Sequence, residues 1–549
     1  MANMTVKSEK SSVEEFDYVI VGAGAAGCIV AARLAEQHGV TVCVLEAGPG
    51  DLRPFVNIPA GFNRTLKQED ITWQFKTEPT ENTGWRAIAT TQGRVVGGSG
   101  SINGMVYNRG LPSDYDLWAQ LGNRGWAYDD VLPYFAKSEN RIGYGVEGVR
   151  GRGHGVPVTD MDWFHPISEE FIKAAQDGGL LRNPDYNGGH QEGVGYFQRT
   201  IRNGLRVSSA SAFLKPALRG PNLRLVKSAV VTSLVFDGSN VKGVRYIMGR
   251  DAFEIRARGE VILCCGTVNT ARLMQISGIG AQEHLNAIGV PCLHHLPGVG
   301  ENLIDHYSAR IVMRAKRDVV TLNEMSRGPR LVWQFLKLLL NRPNILSQTP
   351  SQVYMFCKSR EGLEDPDLQC VFTPGSYKEG QHYVLDSYPG VTAGAWQHRP
   401  RSRGYVRAKS AYVSVDPIIQ PNYLSDPYDQ SVMVAGMQFV RRILHALRLK
   451  KYLEVETVPG AKVASDEDML RFCKECGSTG YHLVGTAKMG PATDQMAVVD
   501  DRLRVYGLRG LRIADSSIMP SIPSANTYAA SMMIGEKASD LIRKSDSSP

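Results

Sequence analysis

The segment that decides the fold is Phe16-Asp-Tyr-Val-Ile-Val21, an apolar strand that runs directly into Gly22-Ala-Gly24-Ala-Ala-Gly27. A helix of small residues follows this turn, and a second apolar strand, 41–45, ends at Glu46. The order is strand, G-x-G-x-x-G, helix, strand and an acidic residue about 20 positions further on. This arrangement is typical of a dinucleotide-binding unit, and a βαβ unit with a purely structural role is the alternative.

The glycines of the turn each have a physical reason. Gly22 permits the tight turn, Gly24 lets the backbone approach a pyrophosphate, and Gly27 lets the helix lie close to the sheet. Ala25 and Ala26 lie where the helix N-terminus presents free N–H groups and positive partial charge to phosphates. These five residues are therefore candidate contacts to the pyrophosphate of a dinucleotide.

The acidic residue after the second strand is the partner expected for the sugar. Glu46 is placed to accept hydrogen bonds from a ribose hydroxyl, and Ala47 follows it at the same end of the sheet. The turn and its acidic residue predict a dinucleotide, but they do not distinguish FAD from NAD.

The composition is that of a globular enzyme with more than one domain. The chain has 549 residues, of which 43% are hydrophobic and 21% are charged. This length exceeds what one hydrophobic core supports, so two or more domains are expected. The formal net charge of +7 is spread over many positions, and the sequence contains no nucleic-acid-binding motif. Nucleic acid is therefore not an expected partner.

Targeting and redox signals indicate the cytoplasm. Residues 1–15 are polar and lack the apolar core of a secretory signal, and no apolar run approaches the roughly 18 residues of a membrane span. Nine cysteines include a C-x-x-C at Cys473 and Cys476, without the second ligand pair of a zinc site. We expect structural thiols, no metal site and a cytoplasmic location.

Residues 310–342 are locally basic, with only Asp318 and Glu324 as opposing charges. They surround the apolar run 331–340. A basic amphipathic segment of this kind is able to contact a membrane surface. The favoured interpretation is a helix that packs on a substrate domain and has a solvated face. Peripheral membrane contact is the alternative.

Other segments extend the α/β pattern along the chain. Glycines crowd residues 92–104, which favours close backbone approach to a ligand over a simple cluster of turns. A second strand–turn–helix unit runs from 260 to 274, and a mixed region with alternating strands occupies about 311–487. The end returns to a strand, 511–514, and a helix from Thr527. The predicted fold is α/β.

Four separated segments resemble the glucose–methanol–choline (GMC) oxidoreductases, which are FAD-dependent alcohol dehydrogenases and oxidases. The segments are 22–48, 93–103, the surroundings of His482, and 515–526 with the helix that follows. The stretch from Leu296 to His306 is also similar to the family. Within the family, the chain resembles the bacterial choline dehydrogenase-like alcohol and sorbose dehydrogenases.

The resemblance implies a Rossmann-like FAD-binding domain with an inserted mixed-sheet substrate domain, α+β overall. The FAD-binding domain is expected to be discontinuous, and so is the substrate-binding domain. The expected FAD-binding segments are 15–160, 217–310 and 488–545, and the expected substrate-binding segments are 161–216 and 311–487.

The resemblance also implies the oxidation of a primary alcohol, or of a CH–OH group in a polyol or sugar, to the carbonyl. Flavin N5 would accept the hydride, and His482 is the expected base because imidazole titrates near neutral pH. Oxygen, a quinone or another carrier would take the electrons. Residues 93–110 contain no histidine for a covalent link, so non-covalent FAD is expected. A hydroxynitrile lyase-type reaction without net redox change and a non-catalytic flavin-binding protein are the alternatives.

The resemblance assigns the remaining site residues. His482 and Asn526 are the expected catalytic pair, and Trp396, His398 and Tyr481 are candidate walls of the substrate pocket. The expected FAD contacts are Gly22, Gly24, Ala25, Ala26, Gly27, Glu46, Ala47, Val96, Gly98, Asn103, Gly104, Val106, Val230, Asp515, Asn526 and Thr527.

Two of these assignments compete with structural interpretations. Asn526 lies where the last helix begins, and asparagine is a preferred N-cap residue. The resemblance instead makes its amide a partner for the substrate oxygen, and this is the interpretation that we favour. Asp515 ends a strand, so an ordinary turn role is the alternative to orienting FAD. The N-terminus of the last helix would stabilise negative charge on reduced flavin in either case.

Overall fold

The computed structural model describes residues 13–378 and 384–546, which are organised around two seven-stranded sheets. The first sheet is mixed, and its central strand Glu14–Val21 is parallel to both of its neighbours. In spatial order, its strands are Leu223–Lys227, Val42–Glu46, Glu14–Val21, Asp251–Leu263, Asn240–Met248 and Val230–Asp237, with Leu511–Ile513 paired to Asp251–Leu263.

The second sheet is antiparallel in all of its pairings. Its strands lie in sequence between pieces of the first sheet, so it forms an insertion. In spatial order, they are Leu453–Val458, Tyr307–Ala315, Gly390–Gln397, Leu368–Thr373, Val353–Cys357 and Gly193–Tyr196, with Ser478–Thr479 paired to Tyr307–Ala315. The predicted α/β fold with a Rossmann-like unit and an inserted sheet is confirmed. The inserted sheet was expected to be mixed, but its pairings are all antiparallel, and the sheet with both parallel and antiparallel pairs is the first one.

The first helix, Ala25–Ala35, packs between the first sheet and the last helix, Tyr528–Asp546. A Cβ atom added at Gly535 would lie 2.8 Å from the Ala26 carbonyl oxygen, so a glycine is needed for this close approach. An ion pair between Arg33 and the buried Glu536 links the two helices at 2.8 Å. The last helix thereby holds the residues before it against the glycine turn.

Other helices pack on both units. Gly266–Ile276 contacts the first sheet, Tyr128–Ser138 contacts the last helix, and Pro427–Leu444 contacts the second sheet. The remaining helices of eight or more residues are Pro112–Gln120, Tyr128–Ser138, Pro166–Asp177, Gly266–Ile276, Gly328–Leu339, Pro427–Leu444 and Asp466–Cys476. Within the described ranges, no helix is both long and apolar enough to cross a membrane. None of the nine cysteines forms a disulfide.

Two elements differ in extent from their sequence-based predictions. The strand expected at 260–263 begins at Asp251, because its polar first half pairs antiparallel with Asn240–Met248 at the solvated end of the sheet. The expected domain boundary at 310 falls inside Tyr307–Ala315, which belongs to the second sheet throughout. A boundary before Tyr307 would keep this strand in one unit.

Candidate active site

A large cavity lies between the two sheets and contains most of the predicted site residues. Two of the predicted FAD contacts, Gly27 and Val96, do not line it, because Gly27 packs against the turn and Val96 is buried in the core of the first sheet. Those that line it are Gly22, Gly24, Ala25, Ala26, Glu46, Ala47, Gly98, Asn103, Gly104, Val106, Val230, His482, Asp515, Asn526 and Thr527.

The glycine turn leaves open space over one of its residues. Gly22 has a φ of +103°, and a Cβ atom at Gly27 would lie 2.0 Å from the Gly22 carbonyl oxygen, so both positions exclude other residues. A Cβ atom at Gly24 would meet nothing nearer than 3.7 Å. The backbone at Gly24 therefore faces the cavity at the N-terminus of the first helix, where a pyrophosphate is favoured.

Glu46 ends its strand beside this turn, and its carboxylate is held in place. One oxygen accepts a hydrogen bond from the Ala23 amide at 2.9 Å, and the other accepts one from the Gly48 amide at 2.8 Å. Burial raises the pKa of Glu46 to about 7, and the two amide hydrogen bonds act in the opposite direction. Each oxygen keeps a second lone pair that is free to accept a ribose hydroxyl.

The glycine-rich segment packs directly on the turn. The Gly97 amide donates to the Ala23 carbonyl at 2.7 Å, and a Cβ atom at Gly98 would lie 2.8 Å from the Gly24 Cα atom. Asn103 Oδ1 accepts from Arg206 Nη1 at 2.7 Å, so the Asn103 side chain braces this segment. Gly98, Asn103 and Gly104 of this segment line the cavity, and close approach of their backbone to a ligand stays a prediction.

Asp515 is oriented by three donors. Its carboxylate accepts from the Gly266 amide at 2.9 Å, from Thr270 Oγ1 at 2.6 Å and from the Ser517 amide at 2.8 Å. Two of these donors belong to the helix Gly266–Ile276, whose N-terminus also opens into the cavity. Burial raises the pKa of Asp515.

These features fit a dinucleotide. The cavity has an open glycine turn at a helix N-terminus. The fixed carboxylate of Glu46 lies at the end of the neighbouring strand. Two buried polar atoms in its lining, Asn269 Oδ1 and Arg272 Nη1, have no hydrogen-bond partner among the described residues. Buried polar groups in native proteins are usually paired, so these atoms indicate a polar ligand.

At the other end of the cavity, hydrogen bonds fix the tautomer of His482. His306 Nε2 lies 2.7 Å from the His398 carbonyl oxygen, so Nε2 carries the proton and Nδ1 of the neutral ring has a lone pair. His306 Nδ1 lies 2.9 Å from His482 Nδ1, which must therefore be the donor. His482 Nε2 then has a lone pair that faces the cavity.

Asn526 contacts that lone pair. Its Nδ2 donates to His482 Nε2 at 2.9 Å, and its Oδ1 accepts from Gln369 Nε2 at 3.4 Å. The last helix begins at Tyr528, two residues after Asn526. The amide is therefore directed at His482 and the second sheet, and its role toward a substrate oxygen stays a prediction.

The backbone of His482 is anchored by Asp305. Asp305 Oδ1 accepts from the His482 amide at 2.7 Å, while Oδ2 accepts from Thr479 Oγ1 and from the Tyr423 hydroxyl, each at 2.5 Å. Burial raises the pKa of Asp305 to about 6, and these hydrogen bonds oppose the rise. The loop that carries His482 is thereby tied to the segment that leads into the strand Tyr307–Ala315.

Both histidines are kept neutral by burial. Burial lowers the pKa of His306 from 6.5 to about 4, and burial followed by repulsion from His306 places the pKa of His482 well below 6.5. A neutral imidazole at ordinary pH is the form that accepts a proton.

The substrate end of the cavity is one face of the second sheet. Alternate residues of a strand point to the same face. Alternate residues from three strands line the cavity here: Ser308 and Arg310, then Gln369, Val371 and Thr373, then Thr392, Gly394 and Trp396. The opposite face carries core residues such as Cys370, Phe372, Ala393 and Ala395.

This face carries polar atoms that are available to a ligand. Among the described residues, Gln369 Oε1, Thr392 Oγ1 and Trp396 Nε1 are buried without a hydrogen-bond partner. Acidic side chains in the described lining are limited to Glu46 and Asp515, and neither belongs to the second sheet. The substrate end thus offers hydrogen bonds and an aromatic ring but no carboxylate from the described residues.

Two of the three residues predicted as walls of the substrate pocket line the cavity, and one does not. Trp396 and Tyr481 line the cavity, whereas His398 does not, because it lies behind His306 and offers its carbonyl to that ring. Sequence reasoning assigned no role to Asp305, His306 or Gln369. The only signal for the first two was their place in the family-like stretch that ends at His306. In the described part of the chain, no group of His, Cys, Asp and Glu side chains has the arrangement of a metal site.

Comparisons with known proteins cover the whole of this architecture. Two family profiles, both described as GMC oxidoreductase, match residues 16–308 and 400–535. The chain is similar to an oxygen-dependent choline dehydrogenase of Brucella anthropi, with 38% identity over 96% of this chain and 95% of the relative. An alcohol dehydrogenase (acceptor) of Pseudomonas putida is 37% identical over 97% and 96% of the two chains.

A solved structure agrees with these sequence matches. The pyridoxine 4-oxidase from Mesorbium loti superimposes with a TM-score of 0.87 and 29% identity, over 96% of this chain and 98% of that one. The profiles, the full-length relatives and the shared fold all lead to one assignment. The chain belongs to the GMC oxidoreductase family.

Proposed function

We propose that this chain oxidises an uncharged alcohol to its carbonyl compound and that His482 is the base. The chain is an FAD-dependent oxidoreductase of the GMC family that acts on CH–OH donors. Bound FAD supplies the acceptor for the hydride that leaves the substrate carbon. Oxidation is favoured over hydroxynitrile cleavage or a non-catalytic role, because the reported relatives are named dehydrogenases and oxidases.

The observation that carries the base assignment is the lone pair on His482 Nε2. In this structure the lone pair accepts from Asn526 Nδ2, 2.9 Å away. A substrate hydroxyl would displace the amide from Nε2, donate to Nε2 and accept a hydrogen bond from Asn526 Nδ2 instead. When Nε2 takes the proton, the ring becomes cationic, and its Nδ1–H already donates to His306 Nδ1. Asn526 aligns the oxygen, and His306 stabilises the imidazolium.

We assign FAD contacts to the predicted residues that line the cavity. Glu46 would accept from the ribose, and Gly24 with Ala25 would hold the pyrophosphate. Non-covalent attachment is supported by the lack of a histidine in residues 93–110. The units built on the first and second sheets would then be the FAD-binding and substrate-binding domains.

The substrate end supports a neutral alcohol over a quaternary-ammonium alcohol. A cation that leaves water needs a nearby anion or an aromatic cage. Several aromatic residues line the described cavity near the second sheet, among them Trp396, Tyr377 and Tyr481. The charged residue that the second sheet contributes to this lining is Arg310, and its positive charge disfavours a cation such as choline. The unpartnered atoms of Gln369 and Thr392 favour a substrate with a further hydrogen-bonding group.

One anaerobic experiment tests the function. Purified yellow enzyme is mixed with benzyl alcohol, 1-hexanol, sorbitol or choline, and the flavin absorbance is followed. Bleaching by a neutral alcohol, at a higher second-order rate of flavin reduction than with choline, is expected. Flavin that stays oxidised with every alcohol would contradict the proposal, and bleaching by choline alone would contradict the substrate class.

The same experiment addresses the electron acceptor. Rapid recovery of absorbance after air is admitted would identify oxygen, and slow recovery that a quinone accelerates would identify a carrier. A cytoplasmic location is also proposed, and the nine cysteines, none of which forms a disulfide, support it, because cytoplasmic reductants keep thiols reduced.

A further inference from the structure

The helix Gly328–Leu339 has an apolar face that points away from the protein. The five residues that form this apolar face are Val332, Trp333, Phe335, Leu336 and Leu339, and their side chains are 44 to 80% exposed. At about 100° per residue, they span roughly 160° of the helix circumference. A surface helix normally presents its polar residues to solvent, so this helix is inverted relative to the usual pattern.

The inner side of the helix shows why this orientation is fixed. Gln334 is its buried residue, and Gln334 Oε1 accepts a hydrogen bond from the Ile345 amide at 3.2 Å. Leu331 and Leu338 flank it and are half-buried. The solvated polar face expected from the sequence is therefore absent from this helix. The side that faces out is the apolar one.

Basic residues border the apolar face. Arg330 and Lys337 lie on the helix, and Arg342 follows its end. Among the described residues, none of the three forms a salt bridge. The sequence contains no acidic residue from 325 to 360. An exposed apolar stripe with a basic border matches the chemistry of an anionic lipid surface, where apolar side chains enter the acyl region and cations meet headgroups.

We propose that the apolar face docks on an anionic lipid bilayer, with the helix lying in the plane of the interface. Trp333 would sit at headgroup depth, where tryptophan is enriched. A second copy of the chain is a poorer occupant. A two-fold interface would bring Arg330, Lys337 and Arg342 against the same residues of the partner. The proposal concerns this surface alone and does not depend on the reaction in the cavity.

The test is binding of the FAD-loaded full-length enzyme to vesicles in a flotation assay. We expect binding to vesicles of equal phosphatidylcholine and phosphatidylglycerol, weaker binding to pure phosphatidylcholine, and loss between about 0.05 and about 0.5 M NaCl. The double variant Leu336→Glu/Leu339→Glu should bind at least about tenfold more weakly. Leu293→Glu/Leu447→Glu, at exposed leucines on other surface segments, is the matched control.

Two further measurements keep the result unambiguous. Brominated lipid should quench tryptophan fluorescence in the parent enzyme, and the Trp333→Phe variant should lose that quenching. Unchanged thermal midpoints will confirm that the variants are folded. The proposal is overturned if the parent does not bind anionic vesicles, or if the Leu336→Glu/Leu339→Glu variant binds as well as the parent. A parent dimer that dissociates in this variant would also overturn it, because the face would then belong to a second copy.

Discussion

The two ends of the cavity are built in different ways. The dinucleotide end comes from one short local unit, in which Gly22, Gly24 and Glu46 lie within 25 residues of one another. The reactive end joins His482 to His306, 176 residues away, and to Gln369 through Asn526. The first end is therefore formed by one local segment. The second end is formed by strands and loops that are distant in sequence and that come together only in the complete fold.

This difference has a consequence for robustness. A local turn is specified by steric demands that single residues impose, so its function depends on backbone shape. The reactive end depends on a chain of hydrogen bonds whose direction is set at the His398 carbonyl and transmitted to His482 Nε2. Substitutions at the two ends should therefore separate cofactor binding from the chemical step.

The largest effect is expected for the base. His482→Ala should slow flavin reduction by a neutral alcohol roughly 10²–10⁴-fold, because the hydroxyl proton loses its acceptor. FAD should remain bound, since the dinucleotide end is untouched. Anaerobic stopped-flow spectroscopy measures the rate, and the 450 nm absorbance of the gel-filtered protein reports the flavin. Reduction at the parent rate would remove His482 from its role.

A smaller effect is expected for His306, which does not face the substrate. His306→Ala should slow reduction roughly tenfold to a hundredfold, since a hydrogen bond to a charged group contributes about 1.5–3 kcal/mol. His306→Asn should recover part of the rate, because its amide oxygen is able to accept from His482 Nδ1. The pH profile of reduction separates positioning from packing: a structural role would leave its acidic limb unchanged.

At the other end of the cavity, Glu46→Gln should weaken FAD binding about tenfold, with little change in the reduction rate of the fully loaded enzyme. The amide cannot accept from both the Ala23 and the Gly48 backbone groups and also from a ribose hydroxyl. Titration of the apoprotein with FAD gives the affinity. The Glu46→Arg variant should bind FAD more weakly still. An unchanged FAD affinity in both variants would contradict the assignment of Glu46 to the cofactor.

The difference between the local dinucleotide end and the long-range reactive end also explains which features were predictable from the sequence. The strand, turn and helix around Gly24 obey local sterics, so their positions and their contact with the cavity followed from spacing. His306 looked like any histidine in a loop, because its partner is set by the pairing of Tyr307–Ala315 with Ser478–Thr479. The apolar run 331–340 predicted a helix, but which side faces the protein depends on Gln334 and its contact with Ile345.

Asn526 provides a finer test of the reactive end. Asn526→Ala should slow reduction up to about tenfold, because one neutral hydrogen bond that aligns the oxygen is lost. A helix-capping role would instead lower stability by about 0.5–2 kcal/mol and leave reduction nearly intact. Thermal melts beside stopped-flow rates compare the two, and Ser521→Ala, in the same loop, controls for disturbance of the loop backbone.

The smallest effect concerns stability against pH. Burial lowers the pKa of His306 from 6.5 in the unfolded chain to about 4 in the folded protein. Between these values, the unfolded state binds a proton that the folded state does not. Stability should therefore fall as the pH drops from about 6.5 to about 4, by at most about 1.4 kcal/mol per pH unit from this group.

The variant His306→Gln removes that proton and should make the fall of the holoenzyme melting midpoint shallower over this window. His154→Gln, at an exposed histidine, controls for the substitution itself. Both proteins must be compared with FAD in excess, so that FAD binding stabilises them to the same extent. Burial raises the pKa of Glu46 to about 7, and this residue affects stability in the opposite sense, because its contribution is lost as the pH rises. Parallel melting curves for the parent and His306→Gln would show that His306 is protonated in the folded protein, and the direction of the hydrogen bonds to His482 would then have to be reversed.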